Sequence, residues 1–212
     1  VTAGPRAAAA LACDEVPGLL RGWISPSPAF MRRTSHAVLA GGGVWLLDPV
    51  DEPGMVEWAL GLGPPAGVVQ LLDRHGRDGA AIAARLGVPH LVTPAAPPPG
   101  APFRVIPVVS VPRWREVALL FPDSATLAVG DALGTAPYFR APGEPVGPHP
   151  MLRLTRPPRV LRGLAPAHLL CGHGPGLHGE GVAAAVEAAV TGARRGIPRW
   201  AWGLVARRGG PA

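Results

Sequence analysis

The chain has 212 residues, is 48% hydrophobic and carries 20 basic against 14 acidic side chains, a formal net charge of +6. It can bury a substantial core, and a single domain over 1–212, with its core at about 34–196, is the simplest organisation. No apolar run approaches the ~20 residues that cross a bilayer, and Val1 to Ala12 is too weakly hydrophobic and too poor in basic residues for a secretory signal, so a cytoplasmic protein with no membrane partner is expected.

Residues 1–22 mix Ala with Pro, Gly and Asp and read as a loose entry segment. His36 to Ala40 and Gly43 to Asp48 read as two strands joined at Gly41-Gly42, a hairpin signature. Asp51 to Leu62 fits a helix, with Asp and Glu in its first turn, Met55, Val56, Ala59 and Leu60 on one side, and Gly61 to stop it. Val68 to Leu72 is a continuously apolar strand. After its polar tip, Ala80 to Leu86 is helical, and Gly87-Val-Pro precedes a short strand from His90. This alternation points to an α/β architecture.

Pro94 to Pro102 is a connection with polyproline character. Beyond it, Phe103 to Val111, Glu116 to Phe121 and Thr126 to Val129 are strands without intervening helices, the pattern of an antiparallel meander. That run argues against an ordinary parallel α/β domain. Tyr138 to Pro150 is a loop rich in Pro and Gly. Val182 to Arg195 is the clearest helix, with Val182, Val186, Ala189 and Val190 on one stripe. The tail from Arg199 reads as loosely attached, with Trp200 and Trp202 docking it; it is too short for a convincing interfacial helix.

Every basic residue is Arg and none is Lys. With abundant Ala, Gly and Pro, this is the mark of GC-rich coding, so total charge is weak support for a nucleic-acid partner; arginine clusters are a better test. Arg153, Arg156, Arg159 and Arg162 recur every third residue. In polyproline II or 3₁₀ geometry they would form one basic ridge, either a solvated face or a site for a phosphate or carboxylate. Few aromatics lie nearby, so no stacking platform for a single strand is implied. Cys13 and Cys171 fit no zinc-ribbon spacing and read as reduced, buried thiols.

Three apolar strands end in polar residues. Val69 to Leu72 empties into Asp73-Arg-His-Gly-Arg-Asp78, Ala125 to Val129 into Gly130-Asp131, and His168 to Cys171 into Gly172-His173-Gly174. The glycines around His173 allow a sharp turn that leaves the ring accessible. The plainer reading of each is also available: Gly-Asp is a common turn, and Asp73 to Asp78 suits a helix N-terminus.

In order and spacing, these tips resemble the metallo-β-lactamase fold superfamily over roughly 34–190. The resemblance implies a four-layer αββα sandwich, a mixed α/β (α+β) fold with a metal site at the shared edge of two sheets. The family's central motif is His-x-His-x-Asp-His. Here only its second His is kept, as His75; Asp73 stands for the first His, Arg77 for the Asp and Asp78 for the last His. Asp131 matches the bridging carboxylate, His173 the terminal His, and Asp48 a structural Asp after an early strand. The intermediate His is missing near Val111 to Arg115.

The resemblance therefore implies a degenerate metal site, with Asp73, His75, Asp78, Asp131 and His173 as candidate ligands for at most one divalent ion (zinc, iron or manganese). Asp78 and Asp131 are the candidate catalytic carboxylates. Water attack on an ester, thioester, amide or phosphoester is the implied chemistry. Arg77 cannot ligate a metal, and its charge opposes a dication. The alternative is a metal-free, non-catalytic scaffold or anion-binding protein, in which Arg74, Arg77, Arg113 and Arg115 pair with Asp73, Asp78 and Asp131. Arg77, Arg113 and His149 are candidate contacts for a small anionic ligand. His149 lies in the loop before the last strand, and His178 is close enough after His173 to replace a ligand. His36, His90 and His168 read as surface or core-edge residues.

Overall fold

The computed structural model describes residues 11–26 and 33–208. Two sheets form the centre. The first has six strands in chain order: β1 (Ala12–Val16), β2 (Leu20–Ile24), β3 (Thr34–Ala40), β4 (Gly43–Leu47), β5 (Pro65–Gln70) and β6 (His90–Val92). Strands β1 to β4 run antiparallel, whereas β4, β5 and β6 are parallel. The parallel pairs need crossovers, which are helix α1 (Met55–Leu60) and helix α2 (Gly79–Leu86).

The second sheet has the order β13-β12-β9-β8-β7, from β7 (Arg104–Val111), β8 (Trp114–Phe121), β9 (Thr126–Val129), β12 (His168–Cys171) and β13 (Leu177–His178). Its meander β7-β8-β9 is antiparallel, and β12 lies parallel to β9. A small ribbon pairs β10 (Leu133–Gly134) with β11 (Gly147–Pro148). Helix α3 (Pro150–Leu154), a 3₁₀ turn at Arg159–Leu161, helix α4 (Val182–Thr191) and helix α5 (Ile197–Arg208) complete the chain.

Strand alternation sorts the apolar residues into three cores, which fixes four layers. Along β4, Val44 and Leu46 face α1 and α2, packed with Met55, Ala59 and Ile82, while Trp45 and Leu47 face the second sheet. Along β12, Leu170 faces the first sheet, while Leu169 and Cys171 face α4 through Val182, Val186 and Val190. The architecture is the αββα sandwich expected from the sequence. The β3–β4 hairpin turns at Gly41 and Gly42, both with positive φ (59° and 79°), a backbone that glycine adopts without Cβ strain.

Several boundaries differ from the sequence reading. Residues 11–24 are not a loose entry but two strands, with Leu20 and Trp23 wholly buried; residues 1–10 lie outside the described part. Helix α1 starts only at Met55, after Pro53 and a left-handed Gly54. The tail is helical to Arg208, and Trp200 donates to the Tyr138 carbonyl, while Trp202 is exposed. The arginine ridge does not form, because Arg153 is fully buried. Its guanidinium donates to Glu144 and to the Phe139 and Ala193 carbonyls. No helix among the described residues is long and apolar enough to cross a membrane.

Candidate metal centre

The parallel strands β9 and β12 end side by side, and the loops leaving them carry Asp131 and His173. Gly172 donates to the Gly130 carbonyl, so the two loops stay in register beyond the strands. His75 arrives from the first sheet, in the turn after β5. All three side chains are buried. One donor atom from each lies within 4.8 Å of the others, and among the described residues this is the one group of His, Cys, Asp and Glu so arranged.

His75 Nδ1 lies 2.8 Å from Asp48 Oδ2. A carboxylate only accepts, so Nδ1 carries a proton, and Nε2 is the nitrogen left to hold either a second proton or a metal ion. That Nε2 faces Asp131 Oδ1 at 3.3 Å, and His173 Nε2 faces the same oxygen at 3.2 Å. Asp131 Oδ1 is buried and has no hydrogen-bond partner. Two ring nitrogens and a carboxylate oxygen converge around a cation, either a ring proton or a metal ion. Two imidazoles and one carboxylate are a donor set suited to a divalent transition metal, so the residues fit one ion.

The electrostatics agree with a site built for positive charge. Burial opposes charge on His75, but Asp48 and Asp131 outweigh burial and the nearby Arg77 and pull its pKa up to about 9. Burial also opposes charge on Asp131, yet His173 and His75 hold it well below the usual carboxylate range.

Supporting groups fix these positions. Asp48 Oδ1 accepts from the Leu71 amide, joining the ends of β4 and β5. Glu116, buried in β8, accepts from the amides of Gly130 and Ala132 at 3.1 and 2.7 Å and from the Trp114 indole at 3.1 Å. It therefore clamps the loop on both sides of Asp131. Burial first, and the Asp131 charge next, push Glu116 up to about 7. Sequence reading missed Glu116; its signal was a lone acid in the buried run Trp114–Phe121. Gly172 is required by close approach, since a Cβ there would stand 2.7 Å from the His75 ring and 2.8 Å from the Gly130 carbonyl.

The other candidate ligands lie elsewhere. Asp73 Oδ2 accepts from the Arg115 amide, tying this turn to β8. Asp78 precedes α2 and accepts from the Asp51 amide, which turns its carboxylate toward the loop after β4. The structure thus does not bring Asp73 or Asp78 to the His75–Asp131–His173 group.

Arg77 neither faces solvent nor bridges Asp78 and Asp131. Its guanidinium donates to the carbonyls of Thr34, Asp48 (2.7 Å) and Gly172 (3.0 Å). Burial lowers its pKa, against the attraction of Asp48 and Asp131. The arginine that pairs with Asp131 is Arg74, whose Nη2 lies 3.4 Å from Oδ2 and whose guanidinium sits 4.5 Å over the Trp114 ring. Arg113 is exposed at the tip of the β7–β8 hairpin.

His149 stands on the rim, its ring against Trp114, Phe139 and Tyr138 at 4.8, 5.7 and 6.0 Å. Burial lowers its pKa, helped by Arg74 and His173 and opposed by Asp131. Phe139 in turn stacks on His173 at 5.8 Å. His178 does not join the centre; it pairs with His168 and faces Asp14.

No protein-family model matches the chain, and no curated protein is similar to it in sequence. Solved structures are similar in fold. A metallo-β-lactamase from Pontibacter korlensis superposes with a TM-score of 0.56 at 11% identity, over 84% of this chain and 97% of the other. A metallo-β-lactamase from Erythrobacter litoralis gives 0.57 at 14% identity, over 87% and 92%. At these identities the likeness shows a shared fold, the metallo-β-lactamase fold, and nothing finer.

Proposed function

We propose that the chain is a divergent hydrolase working with one divalent metal held by His75, Asp131 and His173. The observation that carries this reading is the pair of Nε2 atoms facing one buried carboxylate oxygen that has no hydrogen bond of its own. When bound, zinc, iron or manganese supplies Lewis acidity and water activation. The chain's own residues do the rest. Asp48 holds the His75 tautomer, and Glu116 fixes the Asp131 loop. Arg74 and His149 on the rim select a small anionic substrate with an ester, thioester, amide or phosphoester bond. Arg74 takes the recognition role first assigned to Arg77 and Arg113, because it is the exposed guanidinium paired with Asp131.

Elemental analysis of purified protein tests the proposal, with His75→Ala and His173→Ala as controls. About one ion per chain is expected in the parent and much less in each variant. Parent protein without metal after growth and dialysis with added ions would remove the hydrolase reading.

One observation favours a second reading, a metal-free anion-binding scaffold. A protonated His75 with Arg74 would neutralise Asp131 without any ion. Ligand binding that is indifferent to chelator, in protein without metal, would support it.

A further inference from the structure

The net charge is unevenly placed. Residues 1–137 hold ten arginines and eleven carboxylates, whereas 138–212 hold ten arginines and three carboxylates, so the excess of positive charge belongs to the last third. The exposed large apolar side chains share this bias. Tyr138, Met151, Leu154, Val160, Trp202 and Val205 lie there, against Val92 and Val111 in the remainder of the described residues.

Charge and exposed apolar residues adjoin at the end of α3. Arg159, Arg162 and Arg194 line a groove of about 170 Å³ with Pro157, Val190 and Thr191. The one carboxylate seen to pair with these three guanidinium groups among the described residues is Glu187, 2.9 Å from Arg162. Arg194 donates to the Thr155 carbonyl, which places the groove beside the end of α3. There Met151 and Leu154 are 57% and 51% exposed, and Val160 follows Arg159 at 47%. Isolated exposed apolar residues are ordinary, but Leu154 and Val160 are chain neighbours of Thr155 and Arg159 at the groove, and Met151 lies three residues before Leu154 on α3.

We propose that this face binds an anionic lipid surface. The groove takes lipid phosphates, and Met151, Leu154 and Val160 enter the boundary between headgroups and acyl chains. Guanidinium suits phosphate because its planar fork donates two parallel hydrogen bonds. The apolar partners are aliphatic, which suits acyl chains and offers nothing for bases to stack on, so a lipid surface fits better than a nucleic acid. A folded docking face of this kind requires neither a spanning segment nor a signal peptide. It lies one short helix from the rim of the candidate metal centre, since α3 begins at Pro150, directly after His149.

Co-sedimentation of the full chain with vesicles tests the proposal. The protein should pellet with equimolar phosphatidylcholine and phosphatidylglycerol, but not with phosphatidylcholine alone, and salt should release it. Arg159→Ala with Arg194→Ala should weaken binding at least about tenfold, and Arg159→Ala alone, the variant to use if the pair fails to fold, about fivefold. Leu154→Ser should weaken binding while leaving its salt dependence intact. Arg104→Ala, exposed on β7, should bind as the parent does. Parent protein left in the supernatant with both vesicles overturns the proposal. So does an Arg104→Ala loss as large as that of the groove variants, or retention on duplex DNA without vesicle binding.

Discussion

At the scale of single residues, the centre depends on which ring nitrogens carry protons. Asp48 decides this for His75, because its Oδ2 can only accept, so it keeps a proton on Nδ1 and leaves Nε2, on the Asp131 side, as the atom able to ligate an ion. In Asp48→Asn, Oδ1 can still accept from the Leu71 amide, but an amide nitrogen can face the imidazole N–H, donor against donor. The ring then favours the other tautomer, with its proton aimed where an ion would sit. Metal affinity should fall roughly 10- to 100-fold, the usual effect of removing such an orienting partner, while the melting curve stays cooperative. Competition with a fluorescent chelator measures it, and affinity equal to the parent's would show that Asp48 serves the fold alone.

Arg77 belongs to the same scale. Its position in the central motif identifies it as a missing ligand, but sequence gives no direction for its side chain. That direction comes from three carbonyls that converge at the ends of β3, β4 and β12; those of Asp48 and Gly172 also accept from the Ser35 hydroxyl and the Thr34 amide.

At the scale of elements, legibility followed local pattern. The Gly41-Gly42 hairpin, the apolar run of β5 and the stripe of α4 each announce themselves within a few residues. Strands β1 and β2 did not, because Asp14 and Arg21 break their apolar pattern, and what orders them is pairing with β3, a long-range fact. The same distinction runs through the site. His75, Asp131 and His173 were visible because each follows an apolar strand, whereas Asp73 and Asp78 resembled ligands in sequence but are occupied by backbone amides of other elements. Glu116 gave no readable partner, since its three donors come from three separate positions.

Arg153 is the element-scale case with the largest energetic consequence. Its guanidinium joins α3 to the 139–144 loop and to the end of α4, and its ion pair with Glu144 is 2.6 Å long. Sequence spacing placed it on a ridge, but the pair and two carbonyls compensate its burial. Arg153→Met leaves Glu144 only the Ala141 amide and the more distant Arg199, and leaves two carbonyls without their donor, so it should cost about 3 kcal/mol or more in urea denaturation. Adding Glu144→Leu should restore part of the loss. A cost below about 1 kcal/mol, the range of exposed pairs, would mean that Glu144 is rescued by solvent.

At the scale of the whole molecule, the candidate centre lies across the seam of the sandwich. His75 belongs to the first sheet, through the turn after β5, while Asp131 and His173 belong to the second, through β9 and β12. Arg77 crosses the same seam without metal, from Thr34 and Asp48 to Gly172. The Thr34 amide and hydroxyl cross it too, to the Gly172 and Gly174 carbonyls, as does the Val117 amide to Leu71, and an ion would add a further tie. Because the unfolded chain cannot hold the three donors together, an ion bound only by the folded state stabilises it by about 2.7 kcal/mol at a free concentration of 100 Kd. For a chain of this size that corresponds to a rise in Tm of roughly 5–10 °C. The rise should grow with the logarithm of zinc or manganese concentration. It should vanish in both His75→Ala and His173→Ala, although one variant alters the first sheet and the other the second. Loss in only one of them would mean that the ion is held within a single sheet, and the seam-crossing centre would have to be abandoned.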